Sequence, residues 1–166
     1  MPENLEIKVR VENLARLESV AKHLGPCIFN GIQRDTYFRI SKGRLKLREA
    51  DDSAELIFYT RPDTKGARWS CYITTRVNNP REVRLMLSEL FGIKQVVKKR
   101  RKVFIYRNAR IHLDRVEGLG TFLEIEVTKA RSNGQARELL GSILEKMQIT
   151  RKTLIGKSYS DLLAGT

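Results

Sequence analysis

Glu6 and Lys8 stand two apart in "NLEIKVRVE" (residues 4–12), and Glu124 and Glu126 stand two apart in "FLEIE". Residues two apart on a strand share one face. Arg44, Lys46 and Arg48 alternate in the same way in "GRLKLRE", as do Arg110, His112 and Asp114 in "RIHLDR". The run "KKRRK" (98–102) can send only half of its bases to one face, and register decides between Lys99 with Arg101 and Lys98 with Arg100. Carboxylates without a paired His or Cys suit a hard divalent cation, Mg2+ or Mn2+. Two acids such as Glu124 and Glu126 sharing an inward face repel each other unless a cation sits beside them. Bases gathered near such a cation form a cradle for a phosphate chain.

These side chains must be positioned by strands. Leu5, Ile7, Val9 and Val11 alternate with the charges of the first strand, 4–12. Further strands are expected over 28–40, 43–50, 54–61, 67–77, 94–106, 109–118 and 120–129. Asn13 caps a helix that carries Leu14, Leu17, Val20, Ala21 and Leu24 and stops at Gly25-Pro26. Asn79-Pro80 opens a second helix that runs to Gly92, a third covers roughly 132–147, and "GKSYSDLLAGT" holds a short helical turn. Gly118-Leu119-Gly120 reads as the turn between the last two strands and not as a phosphate loop, because no helix follows it.

Eight strands joined mostly by short turns predict an antiparallel sheet that closes, which removes bare edges. The apolar stripes of the helices need a surface to cover, and only the aliphatic side of the strands offers one. If the helices lie outside, the charged faces turn inward. The expected fold is therefore α+β: an eight-stranded closed antiparallel barrel with helices on the outside and a charged lumen. Such a lumen is costly unless its charges are paired or ligated.

The 166 residues fit one domain, and hydrophobic residues at 41% with charged residues at 31% fit a globular chain. The net charge of +13 implies an anionic partner. Lys and Arg are spread over strands among aliphatics, with no basic tail and no stacking aromatics, which argues against nucleic acid. No run of eighteen apolar residues predicts a membrane span, and the first residues carry no apolar leader. Cys27 and Cys71 form neither a metal pair nor a disulfide framework, so a cytoplasmic setting is expected. Trp69 and the other aromatics are expected to pack, and His112 to support neighbours.

Taken in order, "NLEIK", "QRDTYF" (33–38), "GRLKLRE" (43–49), "YTRPD" (59–63), the Lys-x-Arg of "KKRR", "RIHLDRVEGLGTFLEIE" (110–126) and "KSYSDLL" resemble the CYTH superfamily. These are the triphosphate tunnel metalloenzymes, which include class IV adenylate cyclases and thiamine triphosphatases. The resemblance covers nearly the whole chain and implies one tunnel domain over residues 1–166. It implies Glu6 as a metal ligand and Lys8 as a phosphate contact, from the family's Glu-x-Glu-x-Lys opening. Lys46, Arg48, Arg61, Lys99 and Arg101 would hold phosphate. Asp114, Glu124 and Glu126 match the late acids, giving a metal set of Glu6, Glu124, Glu126 and Asp114 and a catalytic set of Glu6, Lys8 and Asp114. Lys157 matches a late basic position only loosely. The implied cofactor is Mg2+ or Mn2+, and the implied substrate is inorganic triphosphate, ATP or thiamine triphosphate.

Two departures stand out. Asn4 replaces the first acid of the opening motif, and the His-Phe pair that precedes that motif in class IV cyclases is absent. Hydrolysis of an inorganic or organic triphosphate is thus the leading expectation. The alternatives are cyclisation of ATP with release of pyrophosphate, and a polyphosphate- or nucleotide-binding module without turnover. The chain is expected to be a monomer or a homodimer.

Overall fold

The computed structural model of the chain describes residues 1–128, 132–150 and 154–165. Its elements are β1 (Glu3–Arg10), α1 (Leu14–Leu24), β2 (Cys27–Phe38), β3 (Arg44–Ala50), β4 (Ser53–Thr60), β5 (Arg68–Arg76), α2 (Pro80–Phe91), β6 (Ile93–Tyr106), β7 (Ala109–Val116), β8 (Gly120–Thr128), α3 (Asn133–Lys146) and α4 (Tyr159–Leu163). The strands close into a barrel in the order β1-β5-β4-β3-β2-β6-β7-β8. Every neighbouring pair is antiparallel. The α+β barrel expected from alternation is the observed fold. Its strand limits shift by a residue or two at several ends: β2 begins at Cys27 and stops at Phe38, and β6 begins at Ile93.

Alternation explains why the sheet curls this way round. On β1, Leu5, Ile7 and Val9 point outward and are buried. With Ile111 and Leu113 of β7 and Leu123, Ile125 and Val127 of β8 they form one apolar surface. Leu17 and Ala21 of α1 and Ala136, Leu139, Leu140 and Ile143 of α3 cover it, joined by Met147 just after α3. Each fully buried Leu, Ile or Val there stabilises the fold by about 1.5–3 kcal/mol. The cap expected at Asn13 is present: its side chain accepts a hydrogen bond from Arg16 N at 3.0 Å.

A second, smaller cluster closes one end of the barrel. Tyr37, Val97, Val116, Phe122 and Tyr159 are buried together, with Tyr59, Leu119, Ile155, Leu162 and Leu163 against them. The short helix α4 is fixed by Ser158, whose side chain caps it, while the Asp161 carboxylate accepts from the Ser158 backbone. Gly118 (φ 77°) and Gly120 (φ 99°) supply the left-handed turn between β7 and β8 that places Leu119 in this cluster.

One expected covering helix departs from the pattern. None of the residues of α2 is buried, and Leu85, Met86 and Leu90 stand in solvent. The helix is tied to the wall by Arg84, whose guanidinium binds the Glu49 carboxylate of β3 at 2.5 Å. Among the described residues no helix is long and apolar enough to cross a membrane.

Candidate active site

The inward parity of the strands gathers the charged side chains around a cavity of about 840 Å3, counted with its open mouth. Register decides the parity that sequence alone left open. Arg101 lies opposite Asp114 on β7, and Lys99 lies opposite Gln33 on β2. Both bases are buried in the lumen, whereas Lys98 and Arg100 are exposed on the outer wall. Lys8, Lys46, Arg48 and Arg61 also line the cavity. The sealing cluster shuts one end, so the lumen is a cup with Ser158 and Tyr159 in its wall.

Glu6, Glu124 and Glu126 offer carboxylate oxygens that all lie within 4.8 Å of one another. Pairing of β1 with β8 sets Glu6 opposite Glu126 and Lys8 opposite Glu124. Burial, then the nearby Glu124 carboxylate, raises the pKa of Glu6 above its ordinary value, and Arg61 and Arg68 only partly oppose this. Their Nε atoms approach Glu6 Oε1 at 3.2 and 3.1 Å. Burial also pulls Glu124 upward, but Lys8 and Arg101 outweigh it and hold this carboxyl well below the usual range. Burial opposes ionisation of Glu126 too, yet the adjacent His112 ring holds its pKa down at about 2. His112 Nε2 lies 3.4 Å from Glu126, the supporting place expected for it. Beside these acids, the Asn4 side chain lines the cup, and its buried Oδ1 has no hydrogen-bond partner among the described residues. Three carboxylates and a vacant amide oxygen are the donor set that a hard divalent cation takes.

Lys8 borders this group. Its amine lies 3.3 Å from Glu124 Oε1 and 3.7 Å from the centroid of the Tyr159 ring. Burial lowers its pKa, as does the charge of Arg61, against the pull of Glu124. Arg61 reaches back to the chain end through Gly156 O at 2.9 Å.

The opposite wall is built around Asp35, which sequence reasoning did not single out. Its carboxylate receives Lys99 at 2.7 Å, Arg48 at 2.8 Å and Lys46 at 3.2 Å. Burial disfavours the Asp35 anion, but the three cations overcome it and set its pKa well below the ordinary value. The motif "QRDTYF" shows the parity of Asp35, but its partners lie on β3 and β6 and emerge only from cross-strand register. Arg68 was missed for a related reason. It reads as the start of a strand, yet it pairs with Glu6 from across the β1–β5 seam. Tyr37, Tyr59 and Tyr159 line the lumen as well as packing, while Trp69 packs against the outer core as expected.

Asp114 sits apart from the three-acid group. It is fully buried behind Arg101, which grips it with two bonds of 2.7 and 2.6 Å, and it accepts from the Tyr159 hydroxyl at 2.8 Å. Arg101 also reaches Glu124 at 2.9 Å, linking the two walls. Arg10 points out of the cup and donates to Leu119 O. Lys157 is exposed to solvent.

Comparison with known proteins agrees with this fold. A protein of Methanocaldococcus jannaschii, provisionally named an adenylate cyclase, is 27% identical over 95% of this chain and 97% of its own length. The structure of a Pyrococcus horikoshii protein superposes with a TM-score of 0.86 at 23% identity, over 96% of this chain and 98% of that one. A Hippeastrum protein, described as an adenylyl cyclase homologue with a dominant triphosphatase activity, superposes with a TM-score of 0.71 at 16% identity, over 100% and 97%. The family model for the CYTH domain matches residues 3–159, and the chain belongs to the CYTH domain family.

Proposed function

We propose that the cup hydrolyses the terminal phosphoanhydride bond of an inorganic or organic triphosphate. The observation that supports this reading is the close set of Glu6, Glu124 and Glu126, facing Lys8 and Arg61 on one side and Lys46, Arg48, Lys99 and Arg101 on the other. An excess of buried bases suits a polyanion, and the acids suit the cation that accompanies it. Held by Glu6, Glu124 and Glu126, with Asn4 as a neutral donor, Mg2+ or Mn2+ would supply charge neutralisation at phosphoryl oxygens.

The remaining work falls to the chain itself. Lys46, Arg48, Lys99 and Arg101 bind the phosphate chain; the first three exchange part of their hold on Asp35 for it, and Arg101 part of its hold on Glu124. Lys8 and Arg61 lie beside the acids and bind the phosphoryl group next to them. Water attacks the terminal phosphorus, a new P–O bond forms, the bridging P–O bond breaks, and the diphosphate end leaves. The proton released by the water passes to solvent at the open mouth of the cup. Asp114 acts as a positioning residue that orients Arg101 and Tyr159.

A second reading, cyclisation of ATP, is supported by the name of the M. jannaschii relative. The same cradle would hold ATP, with the ribose 3′-hydroxyl attacking the α-phosphorus. One experiment separates the two. Inorganic triphosphate, ATP and thiamine triphosphate are each supplied with Mg2+ or Mn2+, and phosphate, pyrophosphate and cyclic AMP are read together. Phosphate as the main product supports hydrolysis. Cyclic AMP with pyrophosphate overturns it, and tight binding without any product makes the cup a sensor.

A further inference from the structure

The helix α2 has an apolar row that the described residues leave largely in solvent. Leu85 is 63%, Met86 55% and Leu90 72% exposed, and Phe91 and Ile93, at and just after the end of the helix, are 44% and 40% exposed. A monomer seldom leaves so many large apolar side chains together in water. The opposite face of the helix is occupied: Val83, Arg84, Leu87 and Ser88 turn to the barrel wall and are half-buried. The apolar row is therefore directed outward by the packing of the other side.

The charges on this outward face are self-complementary. Arg81 and Glu89 lie one turn before and one turn after Leu85, on the same stripe, and both are exposed. Among the described residues neither makes an ion pair. Helix residues four apart are neighbours on one side. When two such helices pack antiparallel about Leu85, Arg81 of each meets Glu89 of the other, and Leu90 lies over the first turn of its neighbour. A two-fold contact requires this self-complementarity.

We propose that α2 is the contact face of a two-fold dimer of this chain, in which it packs antiparallel against the same helix of a second copy with Leu85 at the centre. Charge favours this face over the rest of the surface. Two chains of +13 repel, and Arg81, Glu82 and Glu89 give the outward side of α2 no positive excess. The same acids disfavour an anionic lipid surface, which selects helices with Lys and Arg on the polar face. One helix from each copy makes a small interface, so the dimer is of the weak, concentration-dependent kind.

Sedimentation velocity over a concentration series tests this. The unaltered chain is expected to shift from monomer to dimer as concentration rises. Leu85→Glu is expected to remain monomeric with a nearly unchanged melting temperature, because Leu85 is 63% exposed. Arg81→Glu and Glu89→Arg each turn both cross-helix pairs into like charges and are expected to weaken the dimer by at least about tenfold. Mixing these two variants restores both opposite-charge pairs, and a heterodimer is expected to return. A chain that stays monomeric at every concentration overturns the proposal, as does a dimer that persists in Leu85→Glu. Mixing without recovery overturns the antiparallel pairing. Capture of a monomeric chain by anionic vesicles, lost in Leu85→Glu, shows a lipid occupant and also overturns it.

Discussion

Two acidic centres face each other across the cup, and they are opposites. Asp35 is surrounded by Lys46, Arg48 and Lys99, and its charge is more than answered within the chain. Glu6 stands among other carboxylates, and with Arg61 and Arg68 beside it its pKa is still raised. The first centre is a closed ionic knot that holds three cations in place. At the second, burial and a neighbouring carboxylate outweigh the two guanidiniums beside Glu6. Buried carboxylates thus divide by their neighbours: one set is answered by cations of the chain, and the other is the set proposed to take a divalent cation.

The largest expected effect breaks the knot. Asp35→Asn leaves three buried cations without a counter-charge and should destabilise the fold by about 3–5 kcal/mol in denaturant titration. Glu6→Gln, by contrast, removes a carboxylate whose pKa the fold raises, relieves repulsion within the acid group and should change stability by under about 1 kcal/mol. Equal losses at the two sites would erase the distinction between them.

A divalent cation should move only the second centre. Mn2+ at about one hundred times its dissociation constant should stabilise the protein by about 2.7 kcal/mol, read as a rise in melting temperature. Glu126→Gln should lose most of that rise and bind Mn2+ at least about tenfold more weakly by calorimetry. Retention of the full rise in this variant would place the ion elsewhere.

Acid separates the centres again. The Asp35 pKa is depressed in the fold relative to an ordinary 3.8. Its stabilisation is therefore complete above that pH and fades as pH falls through the depressed folded value. The stability gap between the unaltered chain and Asp35→Asn should be constant from neutrality to about pH 4 and shrink only below it. A gap that closes near pH 6 would mean that another group sets it.

The smallest expected effect sharpens the second centre. Asn4→Glu adds a fourth carboxylate where the amide oxygen lacks a partner. Without a cation it should cost about 1 kcal/mol through repulsion, and with Mn2+ the loss should reverse. Unchanged Mn2+ affinity would show that Asn4 stands outside the ion's reach.

Much of this comparison was legible in the chain, and what was not had a common cause. Period-two alternation marked all eight strands and put Glu6, Lys8, Lys46, Arg48, Glu124 and Glu126 on one side of the sheet. The apolar stripes of α1 and α3 implied which side that was. Asp35 escaped notice because a single acid in "QRDTYF" has no local pattern, and its three partners come from β3 and β6. Asp114 could be placed on the inner face from its spacing, but not behind Arg101, since side-chain depth depends on both strands of the pair. The stripe of α2 reads as a covering helix like the others, and only the packed structure reveals that its apolar row looks away from the barrel.

Closure of the barrel also bears on how the protein is made. β1 leaves the ribosome before the other strands of the barrel and pairs with β5 and β8. Until β8 has emerged, one edge of β1 is bare, and Glu6 and Lys8 lack the acids that face them. Contacts between distant strands of this kind form slowly. The charged cup is therefore complete only after β8 has joined β1 and α4 has followed it to the base of the cup.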